Sequence, residues 1–261
     1  MITTRFIPRL DIKSGNLIKG INLEGLRVVG NPVEYARRYA EDADELLYMD
    51  CVASLYSRNS LLDIISAVSD DIFIPMTVGG GIRSVDDVRA ALLAGADKVA
   101  ISTAAVVYPP LITVLAQKFG SQCIVLSIEH LDGYVFTNNG REATGLRVND
   151  WACQAVELGA GEILLTSIAQ EGTNRGYDVA QIAAVASRVR VPVIASGGMG
   201  TVRHVVDAVA AGASAIAVAD VLHYNKMTLR DVKIQCASHG MKVRLNDNTQ
   251  DNPMDTTTAS L

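Results

Sequence analysis

Short apolar runs alternate with longer amphipathic segments along most of the chain. Each run has five or six residues and most are rich in Val, Ile or Leu, a pattern typical of buried β-strands. The predicted strands are Phe6–Leu10, Glu45–Met49, Ile74–Val78, Lys98–Ser102, Cys123–Ile128, Ile163–Ser167, Pro192–Ser196 and Ala215–Ala219. The intervening segment SVDDVRAALLAGA begins at Ser84, a potential cap, and ends at Gly95 with apolar residues at helical spacing. Strands that alternate with helices predict an α/β protein with a parallel sheet.

The length and an internal repeat favour a closed barrel. The chain has 261 residues, and a (β/α)8 barrel typically takes about 250. Pro75, Gly80 and Gly95 recur 117 residues later (192 − 75) as Pro192, Gly197 and Gly212. We therefore predict a single (β/α)8 TIM barrel built from two (βα)4 half-barrels. The segment GYVFTNNG, after the fifth strand, predicts a small inserted hairpin.

Composition sets the domain limits and excludes several classes of protein. The barrel is expected over residues 1–245, and the polar, aperiodic residues 246–261 are expected to form a disordered tail. A net charge of −5 without a Lys/Arg-rich run argues against a nucleic-acid partner. The four cysteines have no paired spacing, and no apolar run resembles a signal peptide or a membrane span. We therefore expect a cytoplasmic protein with no membrane contact.

Each half of the repeat places a glycine pair at the end of a strand, directly before a helix. Glycine lets backbone N–H groups turn toward a ligand, and the following helix adds its positive end. We predict two phosphate cradles: Gly80, Gly81, Ser102 and Thr103 form the first, and Gly197, Gly198, Ala219 and Asp220 form the second. A tight turn would also explain one such pair, and Asp220 would repel a phosphate unless its carboxylate points away. The matched pairs favour a ligand with a phosphate at each end.

Two carboxylates are the candidate catalytic groups. Asp11 ends the first predicted strand and Glu129 ends the fifth, so they are expected to face each other across the barrel mouth. Such a pair can act as general acid and base once their surroundings separate the two pKa values. Each carboxylate could instead cap a loop or pair with a lysine such as Lys19. The histidines lack ligand-like spacing and no cysteine has the context of a nucleophile, so we expect no metal and no cofactor.

Eight stretches of the chain resemble one known family. They are IPRLDIKSGNLIKG, ELLYMD, TVGGGIRS, AGADKVAISTAA, FGSQCIVLSIE, GAGEILLTSI, EGTNRGYD and IASGGMG. To about Leu245 the chain resembles the cyclase subunit of imidazole glycerol phosphate synthase, a lyase of histidine biosynthesis. In that resemblance Asp11 and Glu129 match the two catalytic positions and Lys19 matches a flexible-loop lysine. Further substrate contacts are predicted within the matching stretches at Thr166, Gly172, Thr173 and Ser196.

The resemblance implies a synthase that uses ammonia from a separate glutaminase subunit, with which it forms a heterodimer. Ammonia would cross the barrel and attack the ribulosyl carbonyl of a bisphosphorylated aminoimidazole carboxamide nucleotide. Cyclisation and cleavage would release imidazole glycerol phosphate and aminoimidazole carboxamide ribotide. The implied ammonia gate is Arg5, Glu45, Lys98 and Glu162, and the implied partner interface includes Asp97 and Gln122. The four gate residues could also be a purely structural ring of salt bridges, but the resemblance favours the gate.

Three features depart from the family pattern. Glu129 replaces an aspartate, Arg9 replaces a cysteine, and Ala169 and Glu171 stand where aspartates are common. Because a displacement of ~1 Å can cost ~10²-fold in rate, these changes point to altered chemistry or an altered substrate. The first alternative is a paralogue that uses ammonia to amidinate a surface-polysaccharide sugar. The others are the single-chain isomerase of the same pathway, which needs neither the gate nor Lys19, and a barrel that only scaffolds the glutaminase. The histidine-pathway cyclase is the favoured interpretation.

Overall fold

A computed structural model describes residues 3–53 and 61–246 of the chain. The strands of this part are β1 (Arg5–Lys13), β2 (Asn16–Ile21), β3 (Glu24–Gly30), β4 (Leu46–Asp50), β5 (Met76–Gly79), β6 (Lys98–Ile101), β7 (Ile124–Leu131), β8 (Tyr134–Thr137), β9 (Glu142–Arg147), β10 (Glu162–Ser167), β11 (Val193–Ser196) and β12 (Ala215–Val218). Eight of them run parallel in the order β1, β4, β5, β6, β7, β10, β11, β12. Because β12 pairs with β1, the sheet closes into a barrel. The predicted TIM-barrel fold is confirmed.

Helices cover the outside of the barrel. They are α1 (Pro32–Ala40), α2 (Leu62–Ser69), α3 (Val85–Leu93), α4 (Thr103–Val107), α5 (Pro110–Phe119), α6 (Val148–Glu157), α7 (Val179–Ala186), α8 (Val202–Ala210), α9 (Asp220–His223) and α10 (Leu229–Ser238). The predicted cap Ser84 accepts a hydrogen bond from the Asp87 N–H at the start of α3. Such a cap satisfies a backbone donor that has no partner within the first turn. The amphipathic pattern of SVDDVRAALLAGA therefore forms the helix that it predicts.

The two halves of the barrel repeat element by element. β5 and β11 are offset by 117 residues (193 − 76), and so are α3 and α8 (202 − 85). The backbone after these strands is also the same, with φ of +95° at Gly80 and +93° at Gly197. Glycine enters this left-handed region without steric cost, whereas other residues rarely adopt it. Both halves therefore use the same strand-to-helix turn, in accord with the predicted half-barrel design.

Alternation along the strands decides which side chains enter the lumen of the barrel. On β1, Arg5, Ile7, Arg9 and Asp11 occupy alternate positions and share one face. The lumen is filled by an aliphatic layer comprising Ile7, Leu47, Met49, Ala100, Val125, Leu164, Ile194, Ala215 and Ala217. The larger apolar core lies between the sheet and the helices. Charged residues therefore reach the lumen only below and above its aliphatic layer.

Two antiparallel extensions rise from the C-terminal ends of barrel strands. β2 and β3 form a hairpin after β1 that was not predicted. β8 and β9 continue from β7, which confirms the hairpin expected at GYVFTNNG. Asn246, expected to begin the tail, donates a hydrogen bond to the Glu41 carbonyl (2.5 Å); the rest of the predicted tail lies outside the described residues. In the described part, no helix is long and apolar enough to cross a membrane.

Candidate active site

A ring of alternating charges lies at the N-terminal end of the barrel. Lys98 Nζ lies 3.0 Å from Glu45 Oε2 and 3.0 Å from Glu162 Oε2. Arg5 Nη1 lies 2.8 Å from Glu45 Oε2, and Arg5 also pairs with Glu162. Both carboxylates are buried, so the two cations balance charges that would be costly without partners. The structure thus brings all four predicted gate residues together, although Glu45 precedes β4 instead of beginning it.

One residue that contacts this ring, Thr77, could not be recognised from the sequence. Thr77 on β5 is buried and donates its hydroxyl to Glu45 Oε1 at 2.5 Å. A threonine in the middle of an apolar strand gives no motif, because its β-branched side chain suits a strand whether or not its hydroxyl is used. Only the closure of the barrel shows that Thr77 and Glu45 meet.

Asp11 lies at the opposite end of the barrel, on the inward face of β1. The strand continues to Lys13, so Asp11 does not end it as predicted. Asp11 Oδ1 accepts a hydrogen bond from Arg9 Nε (2.8 Å), and Oδ2 lies 4.0 Å from Lys19 Nζ. Burial alone would raise the pKa of this carboxyl, but Arg9 and Lys19 lower it below its usual value. Asp11 is therefore held in its ionised form.

Lys19 reaches this cluster from the β2–β3 hairpin. The predicted flexible-loop lysine lies in strand β2, and its side chain is buried in an ion pair with Glu171. The hairpin also packs on the loop after β10, because the Asn22 N–H donates to the Glu171 carbonyl (2.8 Å). Asn22 Nδ2 donates to the Ile168 carbonyl of the same loop (2.8 Å). The hairpin thus covers the mouth of the barrel with Lys19 directed inward.

Glu129 occupies the inward face of β7, four strands from β1 in either direction around the barrel. It is 5% exposed, and Oε2 accepts a hydrogen bond from the Gly140 N–H at 2.9 Å. Burial raises the pKa of Glu129 from 4.5 to about 7, although Arg9 and the Gly140 N–H act in the opposite direction. Asp11 and Glu129 therefore lie on opposite walls with their pKa values moved apart, the condition for an acid–base pair.

The first predicted cradle forms a wide cavity at the C-terminal ends of β5 and β6. The cavity has a volume of about 360 Å³ and is lined by Gly80, Gly81, Ser102 and Thr103, together with Glu129. The amino end of α3 begins beside it at Ser84. The four residues predicted for this cradle therefore line one cavity, and the carboxyl group of Glu129 lines the same cavity.

The second predicted cradle is much narrower. Gly197, Gly198, Ala219 and Asp220 line a cavity of about 20 Å³, enough for roughly one water molecule. Arg9, Glu171, Gly172 and Ser196 also line it. Asp220 Oδ1 lies 2.5 Å from Lys226 Nζ, so a cation balances the charge that would repel a phosphate. The predicted residues are together, but a phosphate would require this cradle to open.

Two predicted substrate contacts, Thr166 and Thr173, are already hydrogen-bonded within the protein, and the two predicted interface residues lie at the other end of the barrel. Thr166 is fully buried and accepts a hydrogen bond from Arg9. Thr173 donates its hydroxyl hydrogen to the Gln170 carbonyl within the loop after β10 (2.8 Å). This hydrogen bond uses the donor that would otherwise bind a substrate. Asp97 accepts a hydrogen bond from the Met76 N–H (2.8 Å), and Asp97 and Gln122 are exposed near the charged ring. Those two therefore lie on the N-terminal face, as their predicted interface role requires.

Comparison with known proteins identifies the family. A family model described as "Histidine biosynthesis protein" matches residues 5–228. The chain belongs to this family. A protein of Legionella pneumophila named imidazole glycerol phosphate synthase subunit HisF is 60% identical over 206 residues, covering 77% of this chain and 97% of that protein. Proteins of the same name from Gluconacetobacter diazotrophicus and Mycobacteroides abscessus are 46% and 47% identical, covering 94% and 93% of this chain and 97% and 99% of theirs. The resemblance inferred from the sequence is confirmed.

The three departures of this histidine biosynthesis protein lie around the same mouth. Arg9 contacts Asp11, Glu171 pairs with Lys19, and Glu129 reaches the Gly140 N–H. Two of them therefore take part in one buried set of charges, and the third lines the opposite wall. Ala169 is exposed and offers its carbonyl to Asn22 Nδ2 (3.0 Å). The sequence marked these positions as exceptions, and the structure shows that all of them belong to the mouth.

Proposed function

We propose that this chain is the ammonia-dependent cyclase subunit of an imidazole glycerol phosphate synthase. It converts the bisphosphorylated ribulosyl aminoimidazole carboxamide nucleotide to imidazole glycerol phosphate and aminoimidazole carboxamide ribotide. Relatives between 46% and 60% identical carry the name of this subunit. The observation that supports the proposal most directly is the inward face of β1. It holds Arg5 in the charged ring at one end and Asp11 at the other, with Ile7 between them.

Ammonia would cross the barrel along this inward face of β1. Residues 5 to 11 of an extended strand span about 20 Å, which separates the charged ring from the reacting carboxylates. The aliphatic layer between them favours neutral ammonia over ammonium, because an unpaired charge in an apolar surrounding is costly. The ring of Arg5, Glu45, Lys98 and Glu162 acts as the gate, since its ion pairs must separate before ammonia can pass.

The two carboxylates divide the proton transfers between them. Ammonia attacks the carbonyl carbon of the substrate, and ionised Asp11 accepts a proton from the attacking nitrogen. Glu129, with a pKa near 7, is substantially protonated near neutral pH and donates its proton to the carbonyl oxygen, which gives a carbinolamine. Asp11 then passes the proton it accepted to the hydroxyl, which leaves as water, and the nitrogen returns a second proton to Glu129 as the imine forms. Ring closure and cleavage follow from this imine. Arg9 and Lys19 keep Asp11 ionised through their positive charges.

The two cradles position the substrate for this reaction. They lie in different halves of the mouth, at the ends of β5 and β6 and at the ends of β11 and β12. A ligand with one phosphate in each cradle would place its central carbons between Asp11 and Glu129. Binding at both ends orients the carbonyl toward the lumen, and such positioning can contribute several kcal/mol to catalysis.

The relatives are named as subunits, so the chain works within an assembly. Its partner is a glutaminase that docks on the N-terminal face to form a heterodimer. Asp97 and Gln122 belong to this interface, beside Lys98 of the gate. Docking there delivers ammonia to the ring and keeps it from bulk water. We propose that the chain acts in the cytoplasm.

The proposal is tested with ammonium salts, which replace the glutaminase. The purified chain should convert the bisphosphorylated substrate, and Glu129→Asp should keep or raise the rate, since it restores the carboxylate length of the family. Glu142→Asp, the same change at an exposed position of β9, is the matched control and should leave the rate unchanged. Absence of product with both the wild type and Glu129→Asp would overturn the proposal. Amidination of an acetamido sugar would then be the next reaction to assay.

A further inference from the structure

Arg9 is a buried cation of the barrel mouth whose hydrogen bonds extend beyond Asp11, the carboxylate that it helps to keep ionised. It is 2% exposed and projects into the lumen from β1. Its guanidinium reaches past neighbouring β12, whose inward residue is the small Ala217, to β10 and β11. Nη1 lies 3.0 Å from Thr166 Oγ1 and 3.0 Å from Ser196 Oγ, while Nε donates to Asp11 Oδ1 at 2.8 Å. Arg9 thus connects the catalytic carboxylate with two hydroxyls.

These bonds determine which donors stay available. A guanidinium carries five N–H groups, and a hydroxyl carries one O–H donor besides its acceptor oxygen. Because Thr166 and Ser196 accept from Arg9, their own O–H groups are left to donate. Within the described residues neither hydroxyl donates to an acceptor, and Nη2 of Arg9 makes no hydrogen bond. The Ser196 hydroxyl and the two Nη2 donors are therefore free beside the second cradle, which Arg9 and Ser196 line and Thr166 does not.

Arg9 and Ser196 line the narrow second cradle together with Gly197 and Gly198. The glycines have φ of +93° and +106°, the conformation that lets their backbone approach a ligand closely. Both carboxylates that line this cradle already have cations, since Glu171 pairs with Lys19 and Asp220 pairs with Lys226. The unused donors of Arg9 and Ser196 consequently face a space in which the negative charges are balanced.

In the described part of the chain, the other half of the barrel has no cation at the position that corresponds to Arg9. The repeat relates Asp11 to Glu129 with an offset of 118 (129 − 11), and the same offset relates Arg9 to Ser127 on β7. Serine leaves space where arginine fills it, in accord with cavities of about 360 Å³ and about 20 Å³ in the first and second cradles. Arg9 therefore makes the two predicted phosphate sites different in size, although the two half-barrels share one design.

We infer that Arg9 is a specificity-determining residue that makes the second cradle, once it has opened to admit a phosphate, the tighter of two unequal anion sites. Its Nη2 donates to the oxygen of a phosphate monoester, and its Nη1 orients the Ser196 hydroxyl toward the same group. A bisphosphate can then bind in one orientation better than in the other. The inference rests on the proposed function only where it names this anion as one end of the bisphosphorylated substrate.

Inorganic phosphate provides a test that does not depend on turnover. In a titration followed by amide NMR signals, the Gly198 N–H reports the second cradle and the Gly81 N–H reports the first. In the wild type we expect a lower Kd at Gly198 than at Gly81. Arg9→Met keeps the aliphatic stem but removes all donors, and should raise the Kd at Gly198 by about 10-fold, the loss expected for hydrogen bonds to a charged group. The Kd at Gly81 should stay within about two-fold.

A double-mutant cycle tests whether Arg9 acts through Ser196. Ser196→Ala should weaken phosphate binding at Gly198 several-fold in the wild type and have little further effect in Arg9→Met, because interacting residues are non-additive. Ser102→Ala, which removes a hydroxyl from the first cradle, is the matched control and should affect Gly81 equally in both backgrounds. An unchanged Kd at Gly198 in Arg9→Met, equal losses at both glycines, or additive losses with Ser196→Ala would each overturn the inference.

A third variant covers the case in which Arg9→Met does not fold. Arg9→Lys keeps the charge but cannot bond Asp11 and both hydroxyls at once, and should still weaken binding at Gly198 about three-fold. Wild-type affinity in both Arg9→Lys and Ser196→Ala would overturn the inference. Wild-type turnover with ammonium is measured separately. An inactive wild type with Arg9-dependent phosphate binding would overturn the proposed function alone, and an active one with Arg9-independent binding would overturn this inference alone.

Discussion

Replacing Glu129 by glutamine tests whether burial tunes this carboxyl. Burial raises its pKa from 4.5 to about 7, so the folded protein binds this proton more tightly than the unfolded chain does. Below pH 4.5 both states carry the proton, and the stabilisation is fully present. Between pH 4.5 and 7 only the unfolded chain loses it, and the free energy of unfolding therefore falls as the pH rises. At 1.36 kcal/mol per pKa unit, the total loss is about 3 kcal/mol.

Glutamine resembles the protonated form at all pH values, so Glu129→Gln should lack this dependence. Urea-induced unfolding of wild type and variant at pH 4.5, 6 and 8 measures the effect as a difference between the two proteins, which cancels the titration of other groups. Relative to wild type, Glu129→Gln should gain about 3 kcal/mol between pH 4.5 and 8. Glu142→Gln, the same change on the exposed strand β9, should follow the wild-type profile.

Parallel stability profiles for wild type and Glu129→Gln from pH 4.5 to 8 would refute the argument, because they would show that Glu129 titrates alike in the folded and unfolded states. The same pKa also predicts the activity profile. If protonated Glu129 is the acid, kcat/KM for the ammonium-dependent reaction, at constant free ammonia, should decline above pH 7. A rate that continues to rise through pH 8 would exclude that role.

Three further substitutions, one of them with a matched control, test other parts of the structure. Asp11→Asn should lower kcat by roughly 10²- to 10⁴-fold with little change in the affinity for a bisphosphate ligand, and an equal loss of affinity would make Asp11 a binding residue. Gly80→Ala should lower the free energy of unfolding by roughly 3 kcal/mol in urea melts, because φ is +95° and a Cβ would lie 2.4 Å from the Asp50 carbonyl oxygen. Gly145→Ala, with φ of +76° and open space around it, should cost only about 1 kcal/mol. Lys98→Met leaves two buried carboxylates with one cation fewer and should lower stability by about 2 kcal/mol; an unchanged thermal melt would show that Arg5 alone balances them.

The barrel and its two ends could be predicted because both follow from local rules. Short runs rich in Val, Ile or Leu mark the buried strands, a period of 3.6 residues marks the helices, and eight alternating pairs fit the length of one closed barrel. The alternation of side chains along a strand places Arg5 and Asp11 on one face of β1, so the charged ring and the catalytic end are implied by parity alone. The glycine pairs were equally visible, because positive φ after a strand demands glycine in both halves.

Contacts between distant side chains were decided by the tertiary structure. Nothing in the sequence shows that Arg9 reaches Thr166 and Ser196, which are 157 and 187 residues away. Nor does it show that Lys19 is buried against Glu171, 152 residues later in the chain. Such pairs depend on which strands become neighbours and on how much space the side chains between them leave, here an alanine on β12. Local sequence determines the direction in which a side chain points, whereas closure of the barrel determines what it meets. Burial and the neighbouring charges at that point together set its protonation state.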